Sequence, residues 1–339
     1  MAHPIGATVR VIFVRTIVLL AAILAAYGGF SLFFEFGAAD GLDVMDFVRS
    51  GLIFASTFWL AWGAFTAIAG LFSRAKPAAR HDGYFTERTA VVIPVYNEDP
   101  VATYARVAAM MASIDQTGQG DRFHFAILSD TRDDAIAARE RLWFERLLRE
   151  TDGDGRLFYR RRVKNTGRKA GNIEDFIKRS GSAYEFMIIL DADSLMEGDT
   201  MIEMVRRMIA TPDLGLLQTL PNIIHARSRF GRVMQFAATF YSPVFARGLA
   251  LMQGRTGPFW GHNAIVRTRA FAQCCALPEL AGRPPFGGHI LSHDYVEAAL
   301  LARGGWVVRV DDDLAGSYEE GPENIVDFAK RDRRWCQGN

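Results

Sequence analysis

Two aspartates one residue apart, Asp191 and Asp193, follow directly on the apolar run Phe186–Leu190. Carboxylates crowded at the end of a buried strand repel each other unless they are solvated, paired or bridged by a cation. Such oxygen ligands suit hard ions like Mg²⁺ or Mn²⁺, which sit between one or two carboxylates and substrate phosphates. A solvated capping turn is the plainer alternative. Other polar clusters offer complementary chemistry. Ser129-Asp130-Thr131-Arg132-Asp133 follows Phe123–Leu128, where a carboxylate either accepts hydrogen bonds from a ribose or base or caps a helix. Arg168-Lys169-Ala170-Gly171-Asn172 joins a basic segment (Arg160, Arg161, Arg162, Lys164) to a helix start, a combination that holds phosphate or reads as a solvated charge run. His293-Asp294 opens the helix-patterned run Tyr295–Ala302, so Asp294 is an N-cap or a general base within reach of a substrate hydroxyl. Arg331-Asp332-Arg333-Arg334-Trp335 sets planar cations for a diphosphate beside a ring for a sugar face; a paired surface helix is the alternative. Pro94-Val95-Tyr96-Asn97-Glu98 adds a polar edge after the first apolar run.

These clusters need a scaffold, and the pattern between them supplies one. Short apolar runs recur at Ala90–Pro94, Phe123–Leu128, Phe186–Leu190, Leu214–Gln218, Ala264–Val266 and Trp306–Val310. Helix-patterned stretches lie between several of them, at Ala135–Leu148, Ile173–Lys178 and Thr200–Ile209. This alternation predicts an α/β domain with a mixed, mainly parallel sheet and helices on both faces. Ligands then gather outside the carboxyl ends of the strands. The stretch Phe230–Leu251, with Arg232 and Arg247, reads as an interfacial membrane helix or a core helix.

Ahead of this domain stand two uncharged segments, Thr16–Phe34 (19 residues) and Gly51–Ser73 (23 residues). About 20 apolar residues in a helix cross a hydrocarbon core. The second span argues against reading the first as a cleavable signal peptide. Arg10 and Arg15 precede the hairpin, Arg74, Lys76 and Arg80 follow it, and the connecting loop is acidic (Glu35, Asp40, Asp43, Asp46). The positive-inside rule puts both outer flanks, and all that follows, in the cytoplasm. The sequence thus divides into a region of two transmembrane helices, 1–80, and a cytoplasmic domain, 81–339.

The 39 Lys+Arg and 38 Asp+Glu balance, and 50% of residues are hydrophobic, which excludes a disordered chain or a nucleic-acid-coating one. Three cysteines build no disulfide framework and fit a reducing compartment. No histidine pair has zinc-ligand spacing alongside cysteines.

Taken in order, Pro-Val-Tyr-Asn-Glu, Ser-Asp, Lys-Ala-Gly-Asn, Asp-Ala-Asp, His-Asp and Arg-x-x-Arg-Trp resemble the processive family 2 glycosyltransferases, membrane synthases related to cellulose synthase with a GT-A nucleotide-sugar domain. Phe259-Trp260-Gly261-His262-Asn263 and Ser292–Ala298 resemble the branch that makes the β-glucan backbone of osmoregulated periplasmic glucans. The likeness covers about residues 88–339 and the hairpin before them. It implies that Tyr96 and Glu98 flank the nucleotide, Asp130 contacts the uridine side, and Lys169 and Asn172 lie near the uridine and diphosphate. It further implies that Asp191 supports the sugar nucleotide, Asp193 ligates Mg²⁺ or Mn²⁺, and Asp294 is the catalytic base. Arg331, Arg334 and Trp335 stand beside the diphosphate and acceptor sugar, and His262 and Asn263 line the acceptor site. The reaction implied is inverting transfer from UDP-glucose to a growing glucan at a bacterial inner membrane. The implied partners are that donor and acceptor, the bilayer and a periplasmic glucan-processing protein, with no nucleic acid.

Cellulose-type synthases carry Thr or Ser with Glu before the base, where this chain has His293, and Gln where it has Arg331. The family also continues into further transmembrane helices that build an export channel, so the chain ending at Asn339 reads as C-terminally truncated. Three rivals remain: a cellulose-like synthase, a haloacid-dehalogenase-type phosphatase built on Asp-x-Asp, and a nucleotide-sugar-binding regulator without turnover. Leu195 stands where the phosphatase motif carries Thr or Val.

Overall fold

The computed structural model describes residues 5–37, 41–73, 78–283, 287–290 and 292–338. Contacts divide the chain into two units: residues 1–76 with 240–254, and residues 77–239 with 255–339. A division at residue 80 does not foresee that 240–254 leaves the second unit.

The first unit contains α1 (Ile5–Gly37) and α2 (Val44–Leu71), and at the start of α2 Asp43 and Asp46 each accept the other's backbone N–H, at 2.9 and 3.0 Å. That reciprocal cap satisfies N–H groups the first turn would otherwise leave bare. Val9–Gly37 and Val44–Leu71 are long and apolar enough to cross a membrane. The first overruns its expected span at both ends, while the second starts seven residues earlier than expected and ends two residues earlier. Arg74 and Lys76 of the basic flank lie outside the described residues. The remainder of this unit is the second half of α7 (Arg229–Gln253), which crosses α2 where both helices carry glycine. A Cβ on Gly70 would fall 1.9 Å from the Val244 carbonyl oxygen, and one on Gly248 would fall 1.8 Å from that of Thr66.

The second unit is built on a seven-stranded sheet of order β3-β2-β1-β4-β8-β6-β9. Its strands are β1 (Thr89–Val95), β2 (Phe123–Ser129), β3 (Leu157–Arg161), β4 (Phe186–Ile189), β6 (Leu214–Thr219), β8 (Ala264–Arg267) and β9 (Val307–Asp311). Only β8 runs against the others, so the sheet is mixed and mainly parallel, as the alternation predicts. Each of the six apolar runs becomes a strand. β1 shows why: Ala90 and Val92 face one core layer, while Val91, Ile93 and Val95 face the other. A strand buried on both faces must read as a continuous apolar run.

On one face the core packs against α3 (Pro100–Asp115), α4 (Asp134–Glu150) and α6 (Gly198–Ala210), through Met110, Leu147 and Met204. On the other it packs against α5 (Arg168–Ser180), α8 (Thr268–Cys274) and α9 (His293–Arg303), through Ile173, Phe271 and Leu301. Burying each such side chain contributes about 1.5–3 kcal/mol. A three-stranded sheet, β5 (Leu195–Met196), β10 (Ser317–Glu320) and β7 (Asn222–Ile224), adjoins the carboxyl end of β4, and α10 (Ile325–Gly338) ends the described chain. β3 was not foreseen as a strand, because its sequence, Leu-Phe-Tyr-Arg-Arg, reads as part of a basic segment.

Candidate active site

Parallel registry brings the polar clusters to one rim. Val95 pairs with Ser129, Ser129 with Arg161, and Val92 with Ile189, so the residues following β1, β2, β3 and β4 emerge side by side.

Lys169 lies in the first turn of α5. Its Nζ donates to the Asp191 carboxylate and, at 2.7 Å, to the carbonyl of Gly261 just ahead of β8. Gly261 has φ +85°, and a Cβ there would stand 3.3 Å from Asp294 Oδ2. That position therefore needs glycine for its backbone and for the carboxylate packed against it. Asp294 occupies the first turn of α9, where the helix dipole favours an anion. Four separated segments thus place a lysine and two carboxylates around one glycine.

The paired aspartates are driven apart electrostatically. Burial works to raise Asp191, but Lys169 and His262 outweigh it and hold the carboxyl at about 2. For Asp193, burial and the Asp191 charge outweigh the pull of His262 and Arg106 and push it above the usual carboxylate range. Such divergence is how neighbouring carboxylates acquire separate roles. Asp193 is the one in need of a cation. Among the described residues no three His, Cys, Asp or Glu side chains form a protein-only metal cage. A lone needy carboxylate fits an Mg²⁺-type ion that takes its other ligands from water and phosphate. The Asp-Ala-Asp loop is anchored by Arg106 of α3, whose Nη1 donates 3.1 Å to Ala192 O while Nη2 bonds Glu320 of β10.

Asn263 braces the other side of the loop. Its Oδ1 accepts from Ser194 Oγ at 2.6 Å and lies 3.0 Å from His262 Nδ1. Its Nδ2 donates to Ser317 Oγ at 2.8 Å and Tyr318 O at 3.1 Å. It is fully buried at φ +51°, so it does not line an acceptor site as the resemblance implies. His262 does have an outward partner, Glu319 of β10, with Nε2 3.4 Å from Oε2. Burial raises Glu319, and His262 and Arg331 only partly offset it. Arg331 also lies over the Trp335 ring, 4.5 Å from its centroid, with Nε buried and unpartnered among the described residues. Arg334 and Trp335 are exposed.

On the nucleotide side, Asp130 is gripped by Arg162 through two bonds of 2.7 Å. Arg162 also donates to the Arg168 carbonyl at 3.0 Å, tying Asp130 to the start of α5. A cavity of about 660 Å³ opens alongside, lined by Thr131, Arg132, Arg161, Arg162, Lys164 and His289 among others. Tyr96 is exposed on the β1 loop, where its N–H donates to the Glu98 carboxylate. Asn172 departs from expectation. It is buried, with Nδ2 donating 2.9 Å to Leu128 O and Oδ1 accepting from Arg160, so its amide is spent joining α5 to β2. Sequence reasoning singled out neither Glu319 nor Arg106, and gave Arg162 only a place in a charge run. No apolar run marks β10, and nothing in the spacing marks an arginine that bonds a loop 86 positions away.

Residues 186–339 match the model for glycosyl transferase family group 2. The chain is 68% identical over 327 residues to "Glucans biosynthesis glucosyltransferase H" of Cereibacter sphaeroides, covering 96% of this chain and 55% of that protein. Over residues 186–339 the chain carries a family 2 glycosyltransferase domain. The protein of the same name from Vibrio cholerae is 50% identical over 291 residues, covering 85% of this chain and 40% of its own length. The chain therefore spans about half the length of the curated relatives it matches. Among solved structures, a mannosyltransferase from Pyrobaculum calidifontis in complex with GDP-Man and Mn²⁺ superposes with a TM-score of 0.55 at 17% identity, covering 95% of this chain and 73% of its own. The fold is GT-A-like. These family matches leave the phosphatase reading without support.

Proposed function

We propose that this chain is the donor-binding and catalytic part of a membrane-bound glucosyltransferase that uses UDP-glucose to elongate a β-glucan backbone by a single inverting displacement. The observation that carries it is the convergence of Lys169, Asp191 and Asp294 on Gly261. It sets a carboxylate paired with lysine and one without a salt bridge among the described residues across a single backbone turn. Asp294 accepts the proton of the acceptor hydroxyl as that oxygen attacks the anomeric carbon. Asp191, locked by Lys169, orients the sugar nucleotide, while Asp130 and Arg162 with Tyr96 and Glu98 hold its base end. Arg331 and Arg334 stabilise the departing diphosphate, and Trp335 offers a ring to the acceptor sugar. Asp193 would hold Mg²⁺ or Mn²⁺, which when bound neutralises charge on the diphosphate. Support for the ion comes from the raised Asp193 carboxyl and from the archaeal mannosyltransferase of like fold, solved with Mn²⁺ and GDP-Man. α1 and α2 anchor the domain in the inner membrane with the catalytic unit on the cytoplasmic side, and the growing glucan meets a periplasmic processing partner beyond it.

The test is to supply membranes carrying the full-length protein with separate radiolabelled UDP-sugars and Mg²⁺, then to analyse the product linkage. Incorporation from UDP-glucose alone into a β-glucan is expected. A cellulose linkage would shift the reading to that branch. UDP binding without any product would make the protein a regulator.

A further inference from the structure

The reaction just described leaves one buried ion pair at the site without a role. His293 immediately precedes Asp294, and its Nδ1 lies 3.0 Å from Glu297 Oε2. The two are four residues apart and so share one face of α9. Their side chains are 13% and 3% exposed. A carboxylate buried as Glu297 is would be strongly destabilising without a cation, and among the described residues His293 is the cation bonded to it. The charged groups facing His293 are Glu297 and Asp294 on its own helix, Lys169 from α5, and Asp191 after β4. The Cys275 thiol, beside Glu297, stays neutral because burial raises it. The cluster holds three carboxylates, Asp191, Asp294 and Glu297, and its two cations are Lys169 and His293. With His293 neutral, Glu297 would lose the cation bonded to it, and Lys169, which donates to Asp191, would be the nearest fixed positive charge named in the cluster.

We propose, on the glycosyl-transfer reading above, that His293, paired with Glu297, is a positioning residue that fixes the helix turn carrying Asp294 and sets positive charge beside its carboxylate. Burial works against the imidazolium, but Glu297 outweighs it and raises His293 above its ordinary value. The ion pair therefore holds the imidazolium to higher pH than a free histidine would keep it, and its contribution fades as pH rises through the folded-state value.

The experiment follows transfer of labelled glucose from UDP-glucose by the full-length protein in membranes, at saturating Mg²⁺, from acid to alkaline pH. His293→Gln keeps a donor for Glu297 without the charge. It is expected to move the acid limb of kcat/KM up by about one pH unit, the effect of a single charge near a carboxylate. It should also remove any alkaline limb owed to His293. Glu297→Gln is expected to move that alkaline limb to lower pH, and His293→Lys to retain the wild-type acid limb. Profiles of His293→Gln and Glu297→Gln that superpose on wild type after scaling would reduce the pair to a structural brace and overturn the proposal. Should His293→Gln fail to fold, Glu297→Gln decides: an unmoved alkaline limb overturns it. A wild-type protein that binds UDP yet transfers nothing at any pH would instead bring down the glycosyl-transfer reading, and this proposal with it.

Discussion

Replacing Asn263 by alanine tests how the Asp-Ala-Asp loop is held. The amide makes four side-chain hydrogen bonds, to Ser194, His262, Ser317 and Tyr318, from a fully buried position. After truncation Ser317 Oγ keeps Thr219 Oγ1 at 2.8 Å, but the Ser194 hydroxyl loses its acceptor and the Tyr318 carbonyl its amide donor. Each orphaned buried group costs about 1–3 kcal/mol. At φ +51° alanine adds about 1 kcal/mol that asparagine largely avoids. The sum is roughly 3–7 kcal/mol, or a fall in melting temperature of about 6–28 °C for a unit of this size. Asn263→Gly loses the same bonds without the backbone penalty, and should melt between wild type and Asn263→Ala. Thermal unfolding of the purified protein in detergent, followed by intrinsic fluorescence, ranks the three. An alanine variant as stable as wild type, or alanine and glycine variants that coincide, would refute the reasoning.

Two further predictions concern other elements. Gly248→Val forces a side chain against the Thr66 carbonyl, where even a Cβ would stand at 1.8 Å, and should destabilise the helix crossing by about 1–3 kcal/mol or more. Gly51→Val, facing nothing within 4 Å, is the control expected to leave the melting temperature nearly unchanged. Lys169→Met should lower stability at neutral pH by about 1 kcal/mol, a figure discounted because the Asp191 side chain is 38% exposed. Asp191 is depressed in the fold, so its contribution is full above the unfolded carboxylate value and lost as pH falls through about 2. The gap between wild type and Lys169→Met in denaturant titrations should therefore close on acidification; a gap constant with pH would contradict the pairing.

Much of the scaffold was legible because strands buried on both faces must be apolar throughout, as in Thr89–Val95 and Phe186–Ile189. β3 and β10 were not, since each carries charged residues that bond laterally: Arg161 to Asp134, and Glu320 to Arg106. At the site, residue type and strand-end position drew notice to Lys169, Asp191 and Asp294, and the fold brings them together. Asn172 and Asn263 were set near the donor and the acceptor by the family resemblance alone. Their burial depends on a tertiary arrangement that spacing does not encode. The same holds for Asp193, whose carboxyl is raised by burial first and then by the charge of Asp191.

The central claim is that Asp294 accepts a proton from the incoming hydroxyl while other groups hold the donor. The direct measurement is transfer of labelled glucose by full-length Asp294→Asn in membranes, beside its affinity for UDP. Incorporation should fall by a factor of at least ~10², the low end of what a general base contributes, with UDP binding within a few-fold of wild type. Near-normal incorporation by the Asn variant would contradict the account.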